Sequence, residues 1–359
     1  MKIIAVLIGF LGVMSATVGA YAVFFGEDSI EKKLENGLVL EVDARTGYIT
    51  HIELSTDFLR EAFNLEENQI NLQILEAVRE EVEYGSMVYQ QFRESGLLEV
   101  IEPVFEMGEV SSQYALLVDA QSGRVLMDMN GEQKMYPASM TKVMTTLVAI
   151  EALEETNALN ELITIDADMF YYLNKQHASM AGFMPGEQVP AIELLYGIML
   201  PSGGESTFAI AREIAGTEEA FVELMNQKAS DIGLTQTNFE NPTGLHHPNH
   251  YTTAEEMVIL LRYALNNELF RELFTSTTHT TASGLRLDST LFSPIPRTEV
   301  TNGEIIGGRT GFTLEAGRCL ISLAVINGRE YILVTGAAEN TFENRIQHLL
   351  DAIFIFDQV

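Results

Sequence analysis

The sequence predicts an α+β fold: an antiparallel sheet flanked by helices, with a helical lobe, behind a small N-terminal α/β region. Three observations predict it. The apolar pattern from Tyr114 onward runs hairpin, helices, strands and one last helix, an order that suits an antiparallel sheet with its helices segregated. The chain has 359 residues, 47% of them hydrophobic, which is enough for a large core or two ordinary ones. With 27 Gly and 9 Pro, nothing in the composition is collagenous, coiled or disordered.

After Lys2 no charge occurs until Glu27, and "IIAVLIGFLGVMSATVGAYAVFF" is apolar nearly throughout. Such a run can cross a bilayer, which takes roughly 20 residues. Ala20-Tyr21-Ala22 also has the form of a signal-peptidase site. Either reading sends the rest of the chain across the membrane; an uncleaved anchor over residues 1–26 is the expected one. Residues 27–110 carry 20 acidic and 6 basic residues and read as a membrane-proximal region of unassigned role. Within it "LVLEVDARTGYITHIEL" reads as a hairpin and 57–95 as one or two amphipathic helices.

The main domain is expected over 111–359. "YALLVDAQSGRVLMDMN" is a hairpin, and 139–154 is a long helix with Val143, Met144, Leu147 and Ile150 on one face. Helices are expected at 190–199, 205–215, 218–232 and 253–268, strands at 305–314 and 318–336, and a closing helix at 341–355. Asn327-Gly328 is a strong hairpin signal inside the last strand pair.

With 51 acidic against 21 basic residues the formal charge is −30, so a nucleic-acid partner is excluded by repulsion. The single cysteine, Cys319, rules out an internal disulfide and, lying in an apolar strand, reads as a small core residue.

The chemistry-bearing stretch is "PASMTKVMT". Ser139 and Lys142 are three apart, which on a helix puts them on one face within hydrogen-bonding reach. A serine hydroxyl is a poor nucleophile until a base takes its proton, and a desolvated lysine can be that base. The spacing alone is weak: Ser29 and Lys32 repeat it, and serine is also a favoured helix cap. Context strengthens it. "MLPSGGES" presents Ser202 in a Pro/Gly loop, and "GGRTGFTLEAGRCL" places Arg309, Thr310 and Gly311 on a strand where a substrate backbone has room and a cation is at hand.

Those three motifs, in that order, resemble the serine D-alanyl-D-alanine carboxypeptidases among the low-molecular-mass penicillin-binding proteins, over roughly residues 111–359. "MYPASMTKVMTTLVAIE" and "NFENPTGLHHPNHYTTAEEM" are similar to the same family. The resemblance implies a β-lactamase/transpeptidase-like fold and an extracytoplasmic enzyme that removes the last D-alanine from peptidoglycan stem peptides, with β-lactam antibiotics as covalent inhibitors. It further implies Ser139 as acylated nucleophile, Lys142 as general base and Ser202 as proton relay. Arg309 and Thr310 would hold the substrate carboxylate, and the N–H groups of Ser139 and Phe312 would form the oxyanion hole. No metal or organic cofactor is required.

Two positions depart from the family pattern. Gly204 stands where the serine-loop motif has an Asn whose amide touches the substrate, with Glu205 and Ser206 as candidates to compensate. Arg309 stands where Lys is usual, keeping the charge and offering bidentate contacts but no proton. Two alternatives follow: a membrane-anchored penicillin- or muropeptide-binding protein with little turnover, and a β-lactamase. Against the second, no E-x-x-L-N pattern lies between Ser202 and Arg309. His246, His247 and His250 in "HHPNH" invite a zinc reading, but Pro248 and Asn249 break any helix that would align them, and a loop explains them better.

Overall fold

The computed structural model describes residues 110–292, 298–339 and 345–359, together with the backbone of three strands nearer the N-terminus. The chain divides into two compact units, one spanning Met1–Val104 with Gln121–Arg124, the other the remainder. In the first, β1 (Ser29–Lys33), β2 (Leu38–Asp43) and β3 (Ile49–Leu54) form an antiparallel sheet in the order β1-β2-β3. The hairpin expected at 38–54 is therefore present, and the Ser29–Lys32 spacing falls within a strand. The apolar segment 1–26 and the helices expected over 57–95 lie outside the described residues. No helix among the described residues is long and apolar enough to cross a membrane.

The second unit is built on a six-stranded antiparallel sheet in the order β10-β11-β12-β13-β4-β5. Its strands are β4 (Tyr114–Asp119), β5 (Val125–Met129), β10 (Glu299–Val300), β11 (Gly303–Thr313), β12 (Gly317–Ile326) and β13 (Arg329–Ala338). β12 and β13 turn at Asn327 (φ 51°) and Gly328 (φ 76°), two successive left-handed residues as a primed turn requires. "CLISLAVI" shows no polar alternation because both faces of the sheet are covered. Cys319, Ile321 and Leu323 join one core, and Leu320, Ala324 and Ile326 join the other. Cys319 is fully buried, as a core residue should be.

The second face is closed by the C-terminal helix, Gln347–Phe356, through Leu349, Ala352, Ile353 and Phe356. It starts later than the pattern suggested: 345–346 is a turn, and 341–344 lie outside the described residues. The first face carries the helical lobe. Its central helix, α1 (Lys142–Glu155), is buried on every side from Lys142 to Ile150, not on one face only. Helices at Ala191–Met199, Gly204–Ala215, Glu218–Asp231 and Ala254–Ala264 match the expected positions. Several start at side-chain caps, with Thr217, Thr253 and Asn267 accepting from Ala220, Glu256 and Phe270 N–H. The Asn267 cap begins a separate helix, Glu268–Thr275, where one helix to 268 was expected.

A short helix, Met169–Lys175, and two ribbons of three-residue strands escaped the sequence pattern. The ribbons pair β6 (Leu162–Thr164) with β7 (Gln188–Pro190), and β8 (Thr278–Thr280) with β9 (Arg286–Asp288). Three residues are too few for periodicity to register.

His348, in the C-terminal helix, is almost fully buried, and burial above all, with Arg318 nearby, pushes it down to about 3 from 6.5. The unfolded chain then binds a proton that the folded one refuses, so stability present above pH 6.5 falls as pH drops toward 3. Urea denaturation at pH 7 and pH 5 should show a loss that shrinks by about 2 kcal/mol in His348→Gln. An unchanged loss would mean His348 already charges in the fold.

Candidate active site

Ser139 lies in a 3₁₀ turn, Ala138–Thr141, that runs directly into α1 at Lys142. A 3₁₀ turn eclipses residues three apart, so the lysine sits over the serine more closely than an α-helix would bring it. Lys142 Nζ is 3.4 Å from Ser139 Oγ, and Ser202 donates to the same oxygen at 3.2 Å. The three residues that the sequence separated by up to 63 positions thus meet at one atom.

The turn is held in an unfavourable conformation. Ala138 has φ 46° and Ser202 φ 72°, both in the left-handed region that costs a non-glycine residue free energy. A side-chain relay holds Ala138 there. Glu240 N–H donates to His250 Nδ1, which leaves the proton on Nε2, and Nε2–H donates to Thr141 Oγ1 at 2.8 Å. Thr141 in turn donates to the Ala138 carbonyl at 2.7 Å. Burial, helped by His247, His246 and Lys142, pushes His250 down to about 3, so the ring stays neutral. Both ring nitrogens are thereby used, and His250 serves the serine turn instead of a metal.

Lys142 is 3% exposed. Its amine donates to the Thr243 carbonyl at 2.6 Å. Burial first, then the Arg309 charge, hold it well below the usual lysine range, while Glu205 acts the other way. The Thr243 carbonyl is fixed by Asn241, whose Oδ1 accepts from the N–H of Thr243, Gly244 and Leu245 and from Thr243 Oγ1. Gly244 (φ 82°) closes this loop on the serine turn so tightly that a Cβ would stand 1.9 Å from the Ala138 carbonyl oxygen. Asn241 and Thr243 were not singled out as site residues, and His250 was weighed only for zinc, although all lie in "NFENPTGLHHPNHYTTAEEM".

On the other side of Ser139 runs β11. A bulge between Ile305 and Gly307 precedes the Arg309-Thr310-Gly311 stretch and re-aims it. A Cβ on Gly311 would lie 3.0 Å from Ser139 N, so only glycine lets the strand approach the serine turn this closely. Arg309 is fully buried, its Nη1 donating to the Met199 carbonyl at 3.3 Å and Thr290 Oγ1 at 3.2 Å. Thr310 donates to the same Thr290 hydroxyl at 2.8 Å. Burial pushes Arg309 down to about 9, leaving it a cation at neutral pH, and its Nε and Nη2 have no hydrogen-bond partner among the described residues. Phe312 is exposed at the strand's far end. Thr290 is a further residue that the sequence did not reveal, since a lone threonine in a loop carries no signal.

Gly204 starts a helix, and its N–H donates to the Ser179 carbonyl at 2.7 Å. A Cβ there would meet Leu173 at 2.9 Å and Ala178 at 3.4 Å, so the space toward which a side chain would grow is already filled. Glu205 and Ser206, the expected substitutes for the missing amide, are fully buried instead. Glu205 Oε1 accepts from Gly182 N–H at 2.7 Å and Phe183 N–H at 3.2 Å, tying the segment around 178–183 to the serine loop.

Residues 101–340 match the family described as D-alanyl-D-alanine carboxypeptidase, peptidase S11. The chain belongs to this family. It is 33% identical over 255 residues to D-alanyl-D-alanine carboxypeptidase DacF of Bacillus subtilis (strain 168), covering 68% of this chain and 62% of that one. Over 162 residues it is 35% identical to D-alanyl-D-alanine carboxypeptidase DacC of Escherichia coli (strain K12), covering 44% of this chain and 40% of that one. It therefore spans less than two thirds of either relative. Penicillin binding protein 5 from Haemophilus influenzae superposes with a TM-score of 0.60 at 27% identity, over 68% of this chain and 69% of that one. The Streptomyces K15 DD-transpeptidase, at 24% identity and a TM-score of 0.60 over 69% of this chain and 97% of that one, shares the fold. The β-lactamase/transpeptidase-like α+β architecture is thus that of this chain.

Gly244→Ala should push the serine turn out of line. Acylation of Ser139 by a fluorescent penicillin should slow by about 100-fold, the cost of a misplacement near 1 Å, while circular dichroism stays native. Undiminished labelling would show that the turn tolerates the displacement.

Proposed function

We propose that this chain is a serine-type D-alanyl-D-alanine carboxypeptidase acting outside the cytoplasm on peptidoglycan stem peptides, tethered through its apolar N-terminal segment. One observation carries the reading: a buried lysine amine 3.4 Å from a serine oxygen that a second serine contacts at 3.2 Å. In this reading Ser139 Oγ attacks the carbonyl carbon of the penultimate D-alanine, and its proton passes to the Lys142 amine. The N–H groups of Ser139 and Phe312 receive the negative charge that forms on the carbonyl oxygen. The C–N bond then breaks, and the proton reaches the departing D-alanine nitrogen by way of Ser202. Water cleaves the Ser139 ester in the second half, giving one proton to Lys142, which returns it to Ser139.

Thr310, half-buried in front of the fully buried Arg309, is the group that touches the substrate's terminal carboxylate, its one hydroxyl proton turning from Thr290 to the anion. Arg309 supplies positive charge from behind and fixes Thr290, the oxygen that takes the Thr310 proton before substrate arrives. No step here requires a metal or organic cofactor. The same acylation accounts for β-lactams as covalent inhibitors.

A second reading, a penicillin-binding protein with little turnover, draws on Gly204, which leaves the substrate backbone without a side-chain amide. Full-length protein in detergent, treated with a fluorescent penicillin and separately with a pentapeptide ending in D-Ala-D-Ala, separates the two. Mass gain at Ser139 with steady D-alanine release is expected, both lost in Ser139→Ala. Mass gain without release would favour the binding protein, and neither would sink the reading altogether.

The pH profile carries a further prediction. Lys142 acts only uncharged, so kcat/KM should rise with pH through its depressed pKa. Glu205 raises that pKa, so Glu205→Gln, which keeps an acceptor for Gly182 and Phe183, should move the acid limb to lower pH. An acid limb that stayed put or moved up would mean that Lys142 is not the titrating base.

A further inference from the structure

The N–H that Ser139 offers to a developing oxyanion belongs to the same peptide unit as the Ala138 carbonyl. A trans peptide is planar and its N–H and C=O point opposite ways, so whatever fixes the carbonyl also aims the N–H. Thr141 Oγ1 donates to that carbonyl at 2.7 Å. Close backbone packing pins the same unit. A Cβ on Gly244 would stand 1.9 Å from the Ala138 oxygen, and one on Gly311 would stand 3.0 Å from Ser139 N. No acceptor among the described residues takes the Ser139 N–H.

A hydroxyl has one proton, and His250 decides where that of Thr141 points. Glu240 N–H donates to Nδ1, so Nε2 carries the ring proton and donates to Thr141 Oγ1 at 2.8 Å. With a donor already on its oxygen, Thr141 has its own proton left for the Ala138 carbonyl. The reverse tautomer would draw that proton to the ring and leave the carbonyl bare. The ring is held in place, being 2% exposed with Phe239 edge-on at 5.6 Å.

Resting on the reading above, we propose that Thr141 and His250 are positioning residues of the oxyanion hole. His250 turns the Thr141 hydroxyl onto the Ala138 carbonyl, and that bond aims and strengthens the Ser139 N–H toward the substrate's carbonyl oxygen. A peptide whose C=O accepts a hydrogen bond becomes a better donor at its N–H, by roughly 10–30%. Aim matters more, because an oxyanion donor acts only where the negative charge forms. Both side chains are buried, so they work through the peptide unit and do not touch the substrate.

Thr141→Val keeps the shape of the side chain and removes its hydroxyl, whereas Thr141→Ser keeps the hydroxyl. Full-length protein in detergent is treated with a penicillin labelled with carbon-13 at its reactive carbonyl. Stopped-flow kinetics give the limiting acylation rate and the penicillin concentration at half that rate. Infrared difference spectra give the ester carbonyl stretch of the acyl-enzyme. Thr141→Val should slow limiting acylation by about tenfold, part of the ~100-fold or more that outright loss of an oxyanion donor costs. The half-saturating concentration should not change, and the ester stretch should move to higher wavenumber as its hydrogen bond weakens. Thr141→Ser should restore both rate and stretch. His250→Leu should reproduce the valine result, and His250→Gln, which offers Glu240 an acceptor and Thr141 a donor, should bring the stretch back. An unshifted stretch in Thr141→Val, whether or not acylation slows, would overturn the positioning role and leave the peptidase reading intact. Failure of the unsubstituted protein to acylate at Ser139 would overturn that reading and the positioning role with it.

Discussion

The site depends on one burial. An ammonium sealed in a protein interior is costly, and a lysine placed there gives up its proton more readily than in water. Lys142 is sealed because α1 is wrapped on all sides by the helices of the lobe, two of which separate it from the sheet. A surface helix bearing the same Ser-x-x-Lys would leave the amine hydrated, charged and useless as a base. The six-stranded sheet and its lobe are the means of keeping one amine dry while leaving the serine one turn earlier half-open to a substrate.

Around that amine the structure balances charges carefully. Arg309, a buried cation two strand positions from Gly311, disfavours a second positive charge on Lys142, whereas Glu205 favours one. Arg309 also leaves two guanidinium nitrogens without partners among the described residues, an expense that an interior tolerates where an anion is to be met. Thr290 joins this cation to Thr310, so the charge is felt at the cleft through a hydroxyl instead of a direct contact. The Lys-to-Arg departure from the family pattern thus keeps a buried cation behind Thr310. Gly204 is explained by packing. The segment around 178–183 lies where a side chain would grow, and Glu205 and the Gly204 amide hold it down.

The structure brings together the serine, the lysine and the strand motif that the sequence offered as candidates, each a short contiguous run that can be read along the chain. The strands β11–β13 and the helices from 191 to 264 were legible because they are long enough for a period to show. What the sequence did not reveal came from contacts between distant residues. The His250–Thr141–Ala138 relay joins positions more than 100 apart, and Thr290 is meaningful only once β11 lies beside it. The histidines weighed for zinc and set down to a loop gave no hint of this relay for the same reason, since spacing along the chain does not say which ring turns inward. α1 was read as presenting Val143, Met144, Leu147 and Ile150 on one face, yet Thr145 and Thr146 are buried as well. Thr145 donates to the Pro242 carbonyl.

The most direct test of this account is the titration of Lys142 itself. With lysine labelled at Cε and the signal assigned by Lys142→Arg, NMR across neutral to alkaline pH reads each amine separately. The account predicts one lysine that titrates apart from and below all the others, and that this signal is the one lost in the variant. A Lys142 that titrates together with the surface lysines would be charged under working conditions. It could not then accept the serine proton, and the base would have to be sought elsewhere.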